Sequence, residues 1–134
     1  MASENLVIQK LNDGPRNCTL KIDGYVNGED YTGALVVNPA TLSRIDAFNA
    51  CTKVRVNRIN FDIEDALQVD LVWDGAVPND LWSCTGRGEI KGKPFGGFTD
   101  NAGTPTYKLL LNTEGGAAAS TNLSFTIVLE LIKS

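Results

Sequence analysis

Turn-forming dipeptides interrupt this chain about every ten residues, and the segments between them are short and rich in apolar and β-branched residues. The turns include Asn-Asp-Gly-Pro at 12–15, Asn-Gly at 27–28, Asn-Pro at 38–39 and Asp-Gly at 74–75. No segment has the length and the 3.6-residue periodicity of an amphipathic helix. The spacing therefore predicts eight strands, at 5–11, 18–26, 31–37, 53–63, 67–73, 81–90, 106–113 and 122–132.

The last of these segments alternates most regularly. Every second residue from Leu123 to Leu131 is apolar, which predicts a row of side chains that faces the core. The opposite face carries two further aliphatic residues, Val128 and Ile132, among polar ones. We interpret that face as partly covered, and another subunit is one candidate for the cover.

The segment at 53–63 changes phase. Val54 and Val56 are even-numbered, whereas the apolar residues from Ile59 to Ile63 are odd-numbered. One extra residue near Arg58 would keep both sets on the core side, so we predict a β-bulge there.

Eight short strands at this spacing are typical of an all-β fold, namely an antiparallel β-sandwich or a jelly roll. Residues 1–134 show no linker, so we predict a single domain. Residues 1–11 have apolar side chains on both faces. They are either the first strand or an N-terminal arm that adds a strand to a neighbouring subunit.

The stretch at 86–104 contains six glycines and the basic residues Arg87, Lys91 and Lys93, which suggests a phosphate-binding loop. It fits neither common nucleotide motif. Only three residues separate Gly88 from Gly92, Pro94 follows Lys93, and no helical pattern comes next. We therefore interpret the stretch as a shaped surface loop.

Within that loop the glycines would allow left-handed turns and close backbone approach. Two aromatic residues, Phe95 and Phe98, would anchor it by packing.

Acidic residues are concentrated between 62 and 80, where there is no Lys or Arg. Asp62 and Glu64 begin this run. Calcium ligands and a glycosidase carboxylate pair are two possible roles, but the EF-hand spacing is missing, and a solvated strand face is the interpretation we favour. A further hypothesis is that this acidic run complements Arg87, Lys91 and Lys93 of a neighbouring copy.

Trp73 and Trp82 flank the turn between the fifth and sixth segments. Such a pair can stack on a sugar ring. We favour core and rim positions that close a hairpin.

Composition excludes several function classes. The chain has 16 acidic and 12 basic residues, a net charge of −4, which argues against a general nucleic-acid binder. It has no histidine, and its three cysteines are spaced too widely for a zinc site, so we expect no enzyme activity, no metal and no cofactor. No apolar run is long enough to span a membrane, and the N-terminus does not resemble a signal peptide. We therefore expect synthesis in a cytoplasm.

Eight motifs resemble, in the same order, those of small virion structural proteins of tailed bacteriophages. They are LNDGPRN, KIDG, NPATLS, VRVNRINFDI, LVWDG, GRGEI, FGGFTDNAGT and FTIVLELIK. These are turn and strand signatures that cover nearly the whole chain, and they carry no catalytic residue. The resemblance implies a component of the virion. A small, acidic, all-β member is most similar to a capsid decoration (cement) protein, and a minor head or neck protein is the alternative.

The resemblance implies a protein that is made in the cytoplasm of a bacterial host and lies on the capsid surface of the virion. We expect it to form a homo-oligomer, a trimer in our hypothesis, and to bind the major capsid protein. A carbohydrate-binding module that uses Trp73 and Trp82 is a second hypothesis.

Overall fold

A computed structural model describes residues 6–43, 46, 50–92, 96–104, 106–116 and 120–133, and these residues form nine strands and one short 3-10 turn at Pro39–Thr41. The strands are β1 (Val7–Asp13), β2 (Asn17–Val26), β3 (Ala34–Val37), β4 (Val54–Ile63), β5 (Gln68–Trp73), β6 (Asn79–Cys84), β7 (Arg87–Lys91), β8 (Leu109–Glu114) and β9 (Leu123–Lys133). None of the described residues form a helix of the length and apolarity that a membrane crossing requires.

The strands form two antiparallel sheets, in the orders β1-β2-β9-β4-β7 and β3-β8-β5-β6. Within the part of the chain from β2 to β9, the first strand pairs with the last, the second with the last but one, and so on: β2 with β9, β3 with β8, β4 with β7 and β5 with β6. This is the pairing of one long two-stranded ribbon, and further pairs between β4 and β9 and between β5 and β8 roll it up. The all-β prediction is confirmed, and the strand order is that of a jelly roll.

The core lies between the two sheets and follows from the alternation in the sequence. In β9 the side chains of every second residue from Phe125 to Leu131 are at most 2% exposed, and Leu123 at the start of the strand is half-buried. In β5 the matching row is Val69, Leu71 and Trp73. Burial of such side chains provides the main favourable term for folding, about 1.5–3 kcal/mol for each.

The phase change in β4 is a bulge, as predicted. Val56 lies opposite Leu131 and Arg58 lies opposite Glu130, so Asn57 is the extra residue. Val56 and Ile59 on either side of it are both fully buried.

The segment predicted as one strand at 81–90 is in fact two. It divides at Thr85-Gly86, where Gly86 has a φ of 65°, and β6 and β7 belong to different sheets. The alternation on either side of this point is too short to reveal a change of sheet, so the sequence suggested eight strands where the described residues form nine.

Residues 7–11 belong to the first strand, and residues 1–5 lie outside the described part of the chain. β1 pairs with β2 at the edge of the five-stranded sheet. The other sheet has four strands, and six of the seven residues of β1 are exposed.

Candidate functional site

The glycine-rich stretch begins with β7 and then folds back along β4. The bulged part of β4 holds it: the Phe98 amide donates to the Val56 carbonyl at 2.7 Å, and the Val56 amide donates to the Phe98 carbonyl at 2.8 Å. A side chain at Gly92 would collide with the Phe98 ring, and one at Gly88 with the ring of Phe61. These two glycines therefore make room for aromatic rings, and no helix follows them among the described residues that could hold a phosphate.

Phe98 anchors the loop as predicted, because it is half-buried and packs at 6.1 Å from the Trp82 ring. Phe95 and Lys93 lie outside the described residues.

The predicted complementarity between Asp62 and the basic residues of the stretch is formed within one copy. Arg87 Nε lies 3.0 Å from Asp62 Oδ1 across the β4–β7 pair, with both side chains more than half exposed. Lys91 lies 3.4 Å from Glu89 on the same strand. Arg87, Lys91 and Asp62 therefore have partners within their own chain, and the hypothesis that they also join neighbouring copies stays a prediction.

Glu64 belongs to a different surface, which we call the acidic cleft. It is a cleft of about 440 Å³ where β4, β6 and β8 end, and its exposed carboxylates are Glu64, Asp65 and Glu114. The cleft is shaped by a strained turn, since Ala66 has a φ of 71° and Gly115 packs so closely that a side chain there would overlap the Ala66 carbonyl. None of the three carboxylates forms an ion pair with a described residue.

The opposite end of the sandwich carries what we call the basic cleft, of about 290 Å³, which Arg16, Lys53 and Arg55 line. All three side chains are exposed, and none forms an ion pair with a described residue. Lys53 Nζ lies 5.5 Å from the centre of the Tyr107 ring, close enough for a cation–π contact. No sequence pattern indicated this cleft, because its residues come from separate parts of the chain.

One carboxylate, Asp100, also lines the basic cleft, and its oxygens are already bound. Asp100 Oδ1 accepts from the Ala102 amide and Oδ2 from the Tyr107 amide, both at 2.9 Å. Three exposed cations against one carboxylate leave the cleft with an excess of positive charge.

A third surface, the apolar groove, lies between β1 and β3. It has a volume of about 200 Å³, and Ile8, Leu20 and Leu35 are among the residues that line it. The exposed fractions of Ile8 and Leu35 are 39% and 46%, and Leu11 further along β1 is 57% exposed.

The tryptophan pair cannot stack on a ligand as a pair. Trp73 is 1% exposed and belongs to the core, although it is among the residues that line a cleft of about 230 Å³. Trp82 is half-buried against Phe98. The structure thus places Trp73 in the core and Trp82 at the rim, and the stacking site suggested for Trp73 is wrong.

Val128 and Ile132 are half-buried on the outer face of β9. Neighbouring strands flank them, because Val128 lies opposite Lys21 and Asn60, and Ile132 lies opposite Asn17 and Arg55. Long side chains of the same sheet thus account for part of this cover. A subunit on this face remains a prediction.

A buried charge near the end of β9 was missed. The Lys133 side chain is 0% exposed, and Nζ donates to Asp13 Oδ1 at 2.6 Å, to Ser43 Oγ at 2.7 Å and to the Ser43 carbonyl at 3.0 Å. All three ammonium protons are therefore used. This cluster ties β9 to the end of β1 and to the turn after Pro39–Thr41. The sequence did contain an indication of this burial, because Lys133 continues the row of every second residue in β9 that faces the core.

We expect acid to weaken this cluster. Burial raises the pKa of Asp13, but hydrogen bonds from Lys133 and Ser43 outweigh that effect and hold the pKa below its ordinary value of 3.8. A carboxyl with a lowered pKa stabilises the fold fully above its unfolded pKa, and that contribution is lost as the pH falls through the folded pKa. The stability difference between the wild type and Asp13→Asn should therefore be constant down to about pH 5 and shrink below about pH 4.

Urea denaturation of both proteins at a series of pH values measures this difference. If it were the same at acid and neutral pH, the Asp13 carboxylate would not be stabilised by the fold.

The three cysteine side chains are buried. Cys18, Cys51 and Cys84 are buried thiols that form no disulfide within the described part of the chain. Burial raises the pKa of Cys18 to about 11 and that of Cys84 to about 12, so both are protonated at neutral pH. Among the described residues, no three Asp, Glu or Cys side chains are grouped so that they could hold a metal ion.

The chain matches no known protein family, no curated protein and no solved structure.

Proposed function

We propose that this chain is a structural component of a tailed-phage virion, a capsid decoration protein that self-associates and stabilises the shell of the major capsid protein. The resemblance of its turn and strand motifs to small virion proteins supports the proposal. The function would reside in the surfaces of a rigid body, with no catalytic step, cofactor or nucleic acid.

The observation that carries the proposal is the uncovered β1. Natural sheets protect edge strands with charge, proline or a covering segment, since an open edge invites another chain to pair. Here Val7, Ile8 and Leu11 are 53%, 39% and 57% exposed, beside a groove with an apolar lining. Lys10 is the only charged residue of β1 before Asp13. An exposed apolar edge of this kind marks a protein-binding surface.

We assign the apolar groove and the β1 edge to the contact with the shell. A capsid repeats the same site many times, so a contact of modest strength is sufficient when a self-associated decoration protein binds several sites at once. A jelly-roll body suits this role, because its paired strands hold the edge in a fixed shape.

The test is co-sedimentation with purified shells that lack the protein. We expect the wild type to bind and to raise the temperature at which the shells open. Ile8→Lys/Leu11→Lys should lose binding to the shells, because lysines on an edge strand disfavour pairing with another chain and place charge in the groove. Both side chains are partly exposed, so the variant should retain nearly the stability of the wild type.

Val77→Lys is the matched control, since Val77 is 67% exposed in the β5–β6 turn, away from β1. It should bind shells as the wild type does. Wild-type protein that does not bind the shells would contradict the proposal. A reconstruction of the particle then separates the shell surface from the neck as the location of the protein.

A further inference from the structure

We propose that copies of this chain associate head to tail, with the acidic cleft of one copy docked into the basic cleft of the next. This inference rests on the self-association in the proposed function, and it names the two surfaces that meet. They differ from the β1 edge, which stays free for the shell.

The two clefts lie at opposite ends of the sandwich. Arg55 is the second residue of β4 and Glu64 directly follows its last residue, so a strand of roughly 30 Å separates them. Electrostatic interactions are screened over about 8 Å at physiological ionic strength. The clefts of one copy therefore cannot neutralise each other, and each remains available to another copy.

The cations of the basic cleft have few partners among the residues that the structure describes. Arg16 and Arg55 have no ionic partner among the described residues, and Lys53 has only the face of Tyr107. Both oxygens of Asp100, the carboxylate beside them, accept backbone amides. A cleft with several available guanidinium and ammonium groups suits carboxylates, which arginine binds in a bidentate geometry.

The acidic cleft offers those carboxylates on a compact surface. Glu64 and Asp65 come from one turn and Glu114 from the end of β8, and no cation lines the cleft among the described residues. The cation nearest in the sequence, Arg87, pairs with Asp62. The acidic cleft thus has three carboxylates and the basic cleft has three cations, so the charges of the two clefts are equal and opposite. The protein as a whole is acidic, with a net charge of −4.

A contact between two different surfaces is heterologous, and it generates a ring when the rotation closes and an open row of copies when it does not. A trimer can be built only from heterologous contacts, because each copy presents one surface to each of two neighbours. Complementary clefts on one chain meet this requirement. An association carried by charge also weakens as salt is added.

Sedimentation velocity of the full chain tests the proposal. We expect the wild type to self-associate at low salt and to dissociate as sodium chloride is raised. The basic-cleft variant carries Arg16→Gln, Lys53→Gln and Arg55→Gln, and its self-association should weaken at least about tenfold. The side chains are exposed, so the variant should fold as the wild type does.

The acidic-cleft variant carries Glu64→Gln, Asp65→Asn and Glu114→Gln, and its self-association should weaken to the same extent. A 1:1 mixture of the two variants is the decisive sample, because one retains an intact acidic cleft and the other an intact basic cleft. The mixture should form a dimer of one copy of each that grows no further. Symmetric association through a single surface would not give this result.

Lys21→Gln/Lys91→Gln is the control, because it removes two exposed cations from the body of the five-stranded sheet and should leave self-association unchanged. A wild type that stays monomeric at low salt, variants that associate normally, or a mixture that stays monomeric would each overturn the inference. Shell binding by a monomeric wild type would overturn the inference and the self-association, and it would leave the contact with the shell standing. Self-association without shell binding would overturn the proposed function alone.

Discussion

Replacing Lys133 by methionine is expected to lower the free energy of unfolding by about 3–5 kcal/mol. The Lys133 side chain is fully buried, and its ammonium group makes an ion pair with Asp13 and two hydrogen bonds to Ser43. Methionine keeps most of the aliphatic stem but leaves the Asp13 carboxylate, which is 16% exposed, without a cation at 2.6 Å. The loss comes from this carboxylate, whose only other cation among the described residues is the more distant and partly exposed Lys10 ammonium at 3.9 Å. Urea denaturation at neutral pH measures it.

Lys21→Met is the matched control. Lys21 also pairs with an aspartate, Asp23 at 3.2 Å, but both side chains are more than a third exposed, so the loss should stay below about 1 kcal/mol. The double variant Lys133→Met/Asp13→Asn should be more stable than the sum of its single changes predicts, by about 0.5–3 kcal/mol. Equal losses for Lys133→Met and Lys21→Met would show that the buried pair has no special role.

The sequence predicts the fold well where alternation is long. The eleven residues of β9 alternate without interruption, so their inward row could be identified from the sequence alone. The bulge at Asn57 could be located for the same reason, because the phase changes between two runs that each face the core. Period-two patterning is a local property of one strand, and local properties can be read along the chain.

Strand order could not be predicted, because it depends on contacts between residues far apart in sequence. β2 pairs with β9 across a separation of about a hundred residues, and equal spacing of strands is compatible with several orders. The split between β6 and β7 was missed because only the left-handed Gly86 marks it.

The candidate surfaces also combine features that the sequence predicts with features that depend on contacts between distant residues. The sequence indicated charged groups near 62–80 and 86–93, but it could not show that β4 and β7 bring Asp62 and Arg87 together in one sheet. The basic cleft brings together Arg16, Lys53 and Tyr107, which only the rolled ribbon makes neighbours. The burial of Lys133 could have been predicted from the sequence, because Lys133 continues the inward row of β9.

Replacing Trp73 by alanine is the second change with a large expected effect, a loss of about 3–5 kcal/mol in the free energy of unfolding. Trp73 is among the largest side chains that are fully buried, and it ends the inward row of β5. Its removal leaves a cavity between the sheets that the paired strands cannot close. Urea denaturation followed by far-ultraviolet circular dichroism measures the loss.

Trp82→Ala provides the comparison, because Trp82 is half-buried and packs mainly on Phe98, so its loss should be about 1–2 kcal/mol. Trp82→Phe adds a test that does not require destabilisation. It leaves Trp73 as the only tryptophan, whose fluorescence should be blue-shifted and resist quenching by acrylamide. Ready quenching would place Trp73 at the surface and restore the stacking hypothesis, whereas protection fixes the ring in the core and leaves the charged clefts and the β1 edge as the surfaces available for binding.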